Sequence, residues 1–378
     1  VNDPTPLKIY FVAGERSGDL HGGNLIRALK SRFTEVHCRG FGGDYMRDAG
    51  MEVVVHYREM AFMGFAEVLA NLSTISKKIK LCKQDILSYK PDVVVLIDYA
   101  GFNLRIAKFA KQNGIKVFWY ISPKVWAWNQ NRAIKLKANI DRMFVILPFE
   151  KEFFKKFNWT VDYVGNPVLD AIKMHQADQE FLTRNKIGSN KPLVALLPGS
   201  RKQELNMIIP LMAEVAKQNP SCQFAVATVD NLSTEFYGDL RSLPNVSFIS
   251  GATYDLLHHA QAAIVTSGTA TLETALFNVP QVVVYRTSAV SYLIAKNLIR
   301  VPYISLVNLI ADREVVKEMI QQKANSKDVS AELNLILNDN QYREKMMQRY
   351  KEIRNVLDTG SASENTAELM LRYLQSTN

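Results

Sequence analysis

The chain predicts an α/β protein built of two doubly wound domains that face each other across a cleft, with a helical tail at its carboxyl end. Three observations carry this prediction. Apolar runs of strand length alternate with helical patterns from Lys8 onward, and the rhythm restarts after Gly165-Asn166-Pro167. Turns rich in Gly, Ser and Thr also follow several of the runs. At 378 residues, 47% hydrophobic and 22% charged, the chain is long enough for two cores and has a globular composition. The predicted division is 1–165, 166–340 and a tail over 341–378.

In the first half, strands are predicted at Lys8–Ala13, Asp92–Asp98, Lys116–Ile121 and Met143–Leu147, with helices over Asp19–Ser31 and about Leu104–Asn113. The second half repeats the pattern at Leu193–Leu197, Gln223–Ala227, Val246–Ile249, Ala262–Thr266 and Gln281–Tyr285. Helices fall over about Asn206–Gln218 and Thr269–Phe277. Runs that are almost wholly apolar are the mark of parallel strands buried on both faces. The tail, Asp339–Ser376, reads as helix broken at Asp358-Thr359-Gly360, with a fresh start at Ser361–Asn365. It can pack back on the first domain or on a second copy of the chain, so a homodimer is one arrangement it allows.

The net charge of +9 favours an anionic partner: a nucleotide, nucleic acid or acidic lipid. No RNA-recognition signature, zinc knuckle or basic zipper is present, so nucleic acid is not expected. The three cysteines, Cys38, Cys82 and Cys222, fit no disulfide or metal spacing, which suits a reducing, cytosolic setting. His21, His37, His56, His258 and His259 likewise show no ligand spacing, and no metal is expected. No run approaches the ~18 apolar residues that cross a bilayer.

The second half carries two turns suited to an anion. Leu197-Pro198-Gly199-Ser200-Arg201 and Ser267-Gly268-Thr269-Ala270-Thr271-Leu272-Glu273 each follow a buried strand. Backbone N–H groups and a helix N-terminus at such turns favour phosphate, and Arg201 adds a fixed positive charge. Glu273, one turn into the helix, can accept both hydroxyls of a ribose. Together they describe a site for a nucleoside diphosphate.

The first half offers Gly14-Glu15-Arg16-Ser17-Gly18-Asp19 after its first strand, a turn without the three spaced glycines of a dinucleotide fingerprint. Glu15 and Asp19 can meet sugar hydroxyls or act as a base; Asp19 can equally cap the helix. Asp98 ends an apolar strand at the sheet edge where ligands bind, and poor solvation there suits a base. Ser122-Pro123-Lys124-Val125-Trp126-Ala127-Trp128 follows the next strand. Trp126 and Trp128, near Asn129 and Arg132, can stack on sugar rings, line an acyl-chain groove or pack in the core. Met60–Leu72 is rich in Met and Phe (Phe62, Met63, Phe65) and precedes Lys77, Lys78, Lys80 and Lys83. Apolar residues beside lysines can dock on anionic lipid, or form an internal helix with a charged outer face.

With those residues placed, the chain resembles the lipid-A-disaccharide synthases, bacterial glycosyltransferases with two Rossmann-like domains of the B type (GT-B). The resemblance runs through Ala13–Asp19, Met63–Leu69, Ser122–Trp128, Leu147–Glu150, Leu197–Arg201, Ser267–Glu273 and Ser305–Leu309. It implies an inverting transferase that joins UDP-2,3-diacylglucosamine to 2,3-diacylglucosamine 1-phosphate, giving a β-1,6 disaccharide phosphate and UDP, with no cofactor. It places Asp98 and Arg201 at positions central to activity and the Ser267–Glu273 turn and Asn308 at the nucleotide site. It also implies peripheral attachment to the cytoplasmic face of the inner membrane. The chain departs from the family pattern at Arg16, Ala100, Gly101, Val307 and Asp312. Rival readings are a UDP-sugar 2-epimerase, a related transferase acting on a polyprenyl-linked sugar, and a non-catalytic carrier of lipid or nucleotide.

Overall fold

The computed structural model describes residues 6–375 apart from 34, 61–71, 189, 201 and 229–231, and describes 72, 203, 234, 290, 291, 294, 295 and 297 by backbone alone. Two compact units emerge, one of residues 1–167 with 358–378 and the other of residues 168–357.

Seven parallel strands form the sheet of the first unit: β1 (Leu7–Ala13), β2 (Val36–Gly42), β3 (Glu52–His56), β4 (Val93–Ile97), β5 (Lys116–Tyr120), β6 (Arg142–Val145) and β7 (Asp162–Tyr163). Their order is β3-β2-β1-β4-β5-β6-β7. Strand β4 is Val-Val-Val-Leu-Ile with every residue buried, because helices cover both faces of the sheet. The second unit holds six strands: β8 (Leu193–Leu197), β9 (Gln223–Thr228), β10 (Val246–Ser250), β11 (Ala262–Thr266), β12 (Gln281–Tyr285) and β13 (Lys317–Ile320). Their order, β10-β9-β8-β11-β12-β13, is that of a Rossmann-like sheet.

The order of strands fixes where chemistry can occur. In each sheet the winding direction reverses between two neighbours, β1 with β4 and β8 with β11, and a crevice opens beyond their carboxyl ends. Ala13 is in register with Ile97, so Gly14 and Asp98 leave the sheet side by side. Leu197 is in register with Val265, which brings the Pro198–Ser200 turn beside Thr266 and Ser267.

The carboxyl-terminal residues are shared between the units. Helix Asn340–Leu357 buries Met346, Tyr350, Ile353 and Leu357 in the core of the second unit. Helix Ala362–Gln375 returns to the first unit, where Ala362, Ala367 and Met370 join the core with β1 and β4. The four tryptophans, Trp119, Trp126, Trp128 and Trp159, all lie in the first unit, so their fluorescence reports its unfolding alone. Met370→Ala should therefore lower the denaturant midpoint seen by tryptophan emission, by the ~2–5 kcal/mol of a buried Met→Ala change. An unshifted midpoint would place the last helix outside this core.

Candidate active site

At the first unit's switch point the backbone is strained. Asp98 and Tyr99 are consecutive residues in the left-handed region, at φ +44 and +48. Such conformations typically cost about 1–3 kcal/mol each in residues with side chains, and persist only where their surroundings fix them. Asn103, fully buried one turn into helix Ala100–Gln112, supplies part of that fixing. Its amide nitrogen donates to the carbonyls of Asp98 (2.8 Å), Ile97 (3.2 Å) and Val12 (3.3 Å). Tyr99 hydroxyl donates to Met60 carbonyl at 3.0 Å. The Tyr99 ring fills the space where a Gly14 side chain would stand, since a Cβ there would lie 2.3 Å from it.

This turn presents Asp98 half-buried at the sheet edge. Burial pushes its carboxyl up to about 6; the neighbouring Glu15 adds to the rise, and Lys124 opposes it. Glu15 stands exposed at the start of helix Arg16–Lys30, and its side chain makes no capping bond. Ser17 is exposed beside it, while Gly18 packs on Ala13 and Ile97.

Asp19 is placed differently from the sugar-contact reading. Its carboxylate is buried and accepts from the N–H groups of Gly43 (2.7 Å), Tyr45 (3.1 Å) and Met46 (3.1 Å). It caps the short helix Asp44–Asp48 and so ties the loop after β2 to the first helix. Trp126 is likewise an internal group. It is buried, its indole N–H donates to Glu150 Oε1 at 3.2 Å, and its ring meets Phe149 edge-on. Trp128 is the exposed tryptophan of the pair, with the Arg132 guanidinium 5.3 Å above its ring. Asn129 follows it, partly exposed.

Glu150, at the end of the Leu147–Glu150 motif, is a residue that no turn or strand-end pattern in the sequence singles out. It is sealed from solvent and takes four donors: Ser122 hydroxyl, Trp126 indole, and the backbone N–H groups of Ile146 (3.2 Å) and Leu147 (2.9 Å). Complete burial still pushes its carboxyl up to about 7. The local signal was a carboxylate in the first turn of helix Phe149–Lys155, where it can reach back to free N–H groups.

The second unit's switch point carries the anion turns. Gly199 is left-handed at φ +99, and a Cβ on it would come 2.9 Å from Glu204 Oε2. Arg201 lies outside the described residues. Ser267 is held by its hydroxyl, which donates to Ile304 carbonyl at 2.8 Å, and by its N–H, which reaches Val284 carbonyl at 3.3 Å. Gly268 and Thr269 then open helix Thr269–Leu276, with Thr269 exposed. Among the described residues their N–H groups have no acceptor, as the first turn of a helix requires. Glu273 is partly buried; Tyr254 hydroxyl donates to its Oε1 at 3.0 Å, and burial raises its carboxyl above the usual range.

Asn308 is turned inward. It is fully buried, and its amide is saturated. Nδ2 donates to Val316 carbonyl and Glu318 Oε1, each at 2.9 Å, while Oδ1 accepts from Val315 (2.7 Å) and Val316 (3.0 Å) N–H. These bonds make Asn308 a bracket that holds the helix Leu306–Ala311 against the chain leading into β13. Asp312 closes that helix in the left-handed region at φ +51. Among the described residues no cluster of His, Cys, Asp or Glu could hold a metal ion. Phe62, Met63 and Phe65 lie outside the described residues. Lys77 is exposed on helix Leu72–Tyr89, whereas Lys78 pairs with Glu59 at 2.5 Å. No helix among the described residues is long and apolar enough to cross a membrane.

Residues 9–371 match the family described as lipid-A-disaccharide synthetase. The chain belongs to this family. A lipid-A-disaccharide synthase of Syntrophus aciditrophicus is 39% identical over 97% of this chain and 98% of that protein. One of Geobacter sulfurreducens is 36% identical over 99% of both. Among solved structures, the UDP-GlcNAc 2-epimerase of Neisseria meningitidis superposes with TM-score 0.69 at 16% identity, covering 97% of this chain and all of that one. The glycosyltransferase of kitacinnamycin gives 0.67 at 14%, covering 98% and 100%. At that identity the structures share the fold, two Rossmann-like sheets of GT-B type. The activity is that of the family, a glycosyltransferase acting as lipid-A-disaccharide synthase in lipid A biosynthesis.

Asn308→Ala separates bracket from ligand contact. It should destabilise the second unit by about 2–4 kcal/mol, through lost hydrogen bonds and stranded buried partners. UDP affinity, measured by calorimetry well below the melting temperature, should stay unchanged. A large affinity loss in a fully folded variant would restore Asn308 to the nucleotide site.

Proposed function

We propose that the chain joins a UDP-activated 2,3-diacylglucosamine to 2,3-diacylglucosamine 1-phosphate by a single inverting displacement, with Asp98 as general base. The observation that carries this is Asp98 itself. It is a carboxylate held at a switch point by a strained turn and raised by burial toward the pH at which a base works best. The acceptor's 6-hydroxyl attacks the donor's anomeric carbon, its proton passes to Asp98, and UDP departs on the opposite side. Glu15 and Lys124 set the charge felt by Asp98. Gly14, Ser17 and Asn129 border the acceptor.

The leaving diphosphate gains charge as the bond breaks. The N–H groups of Gly268 and Thr269 and the helix behind them answer that charge, together with the Arg201 guanidinium. Ser267 shapes the turn through its two backbone-directed bonds. Glu273 takes the ribose hydroxyls on the carboxylate oxygen that Tyr254 leaves open.

The sign of the pH dependence follows from the raised carboxyl. Below about 6 Asp98 is protonated and cannot accept a proton, so kcat/KM should climb through that pH. Asp98→Asn should abolish the climb, retain UDP binding and lower turnover by at least ~10². A raised carboxyl also means that ionisation disfavours the fold. The stability it lends is present below the ordinary carboxylate range and is lost as pH rises through about 6. Asp98→Asn should accordingly be more stable than the parent at pH 8, by on the order of 2 kcal/mol, and no more stable at pH 3. Near-parental turnover, with disaccharide still forming by mass spectrometry, would remove Asp98 as the base.

The same reading places the protein peripherally on the cytoplasmic face of the inner membrane, through Phe62, Met63, Phe65 and the lysine-bearing helix that follows. Lys77 and Lys80 point outward on that helix. Flotation with anionic vesicles should weaken with added salt, and reversing the charge of both lysines should weaken it further. Binding indifferent to salt and to both reversals would dismiss this surface.

A further inference from the structure

The second unit contains a cavity that none of these roles uses. It measures about 980 Å³, at the upper end of the ~300–1,000 Å³ typical of small-molecule sites. Its walls come from the second turn of helix Lys202–Gln218, the chain after β12, helix Ala289–Leu298 and the chain after β13. Met207, Tyr292, Leu293 and Ile320 make the lining apolar. Leu293 is 63% exposed and Met207 38%, large apolar side chains turned toward solvent within one concavity. Three cations stand among them, Arg286, Lys296 and Lys323, and none makes an ion pair among the described residues.

The cavity's one acidic member does not cancel that charge. Glu318 is engaged inward, accepting from the N–H groups of Ile304 and Ser305 at 3.0 Å, from Ser305 hydroxyl at 2.7 Å and from Asn308 at 2.9 Å. The wall is also built rather than incidental. Gln321, left-handed at φ +54, exchanges two hydrogen bonds with Thr287, one received at 2.8 Å and one donated at 3.0 Å. These lock the chain after β12 to the chain after β13.

Position completes the case. Strand β12 lies next to β11 with Val284 level with Thr266, so Arg286 leaves the sheet one strand away from the Ser267–Thr269 turn. We propose that this cavity seats an acyl chain of the donor sugar, its apolar walls taking the chain and its cations facing the diphosphate. The proposal rests on the nucleotide reading above, because the diphosphate is what directs the sugar toward β12. Long Lys and Arg stems suit such a rim, since they cover apolar surface while their charged ends stay at the polar boundary.

The test is a series of UDP-diacylglucosamine donors of decreasing chain length, assayed at one detergent concentration with UDP as competitor. Leu293→Asp should raise KM for the longest donor by about tenfold or more, with a shrinking effect as the chains shorten and none on inhibition by UDP. Ala289→Trp, which fills the cavity from an exposed position, should shift the preferred donor to a shorter chain. A KM change equal at every length, or no change in either variant, would overturn the proposal. So would Leu293→Asp releasing the protein from anionic vesicles while the length profile stays intact, which would make this face a membrane contact. Failure of the nucleotide reading would look different: UDP inhibition would be unaffected by Glu273→Gln while the length profile still responded to Leu293→Asp.

Discussion

Asn103 donates from one amide nitrogen to three backbone carbonyls, and this small bracket fixes the turn that carries Asp98 out of the first unit's sheet. The chain leaves β4 through two residues in a conformation that side chains disfavour, at about 1–3 kcal/mol each. A relaxed turn would let Asp98 swing into solvent, where its carboxyl would return to ordinary acidity. Held as it is, the carboxyl sits at the open edge, partly desolvated, with an acid on one side and a lysine on the other. Gly14 belongs to the same device, because only a residue without a side chain leaves room for the Tyr99 ring.

A second regularity sorts the polar residues of both units. Buried polar groups are nearly always paired, and the pairs here act as brackets on loops. Asp19 holds the turn after β2, Glu150 gathers the Ser122–Trp126 loop, and Glu318 with Asn308 fixes the loop before Leu306. Capacity remains at the switch points, on Glu15, Asp98, the N–H groups of Gly268 and Thr269 and one oxygen of Glu273, and also inside, on buried atoms such as His21 Nδ1 and Gln281 Oε1.

This division explains how much the sequence discloses. Strands β4, β8, β11 and β12 were legible because each is built on an apolar run with a neighbouring strand on both sides. Strands β2, β3, β7 and β13 were not. Val36–Gly42 mixes His, Arg and glycines, and Asp162–Tyr163 is a two-residue strand at the edge of its sheet. The switch-point turns were legible from Gly, Ser and Thr after a strand, a pattern that is wholly local. The sequence leaves Asp19 and Trp126 open between a ligand and an internal role for the opposite reason. The hydrogen-bond partners of their side chains lie 24 residues or more away, as with Asp19 and Gly43, and a polar residue reads the same whether it faces a ligand or a distant backbone N–H.

A raised carboxyl does not by itself mark a base. Glu150 is pushed higher than Asp98, to about 7 against about 6, although four donors favour its charged form. Burial is the leading cause in both, so the higher value marks the deeper burial rather than the better catalyst. A base must reach the proton it removes, within hydrogen-bond distance of a substrate hydroxyl. Glu150 is sealed and saturated; Asp98 is half-open, on the sheet edge, with no side-chain donor on its carboxyl among the described residues. Access, rather than the height of the shift, separates the sealed Glu150 from Asp98 as a candidate base.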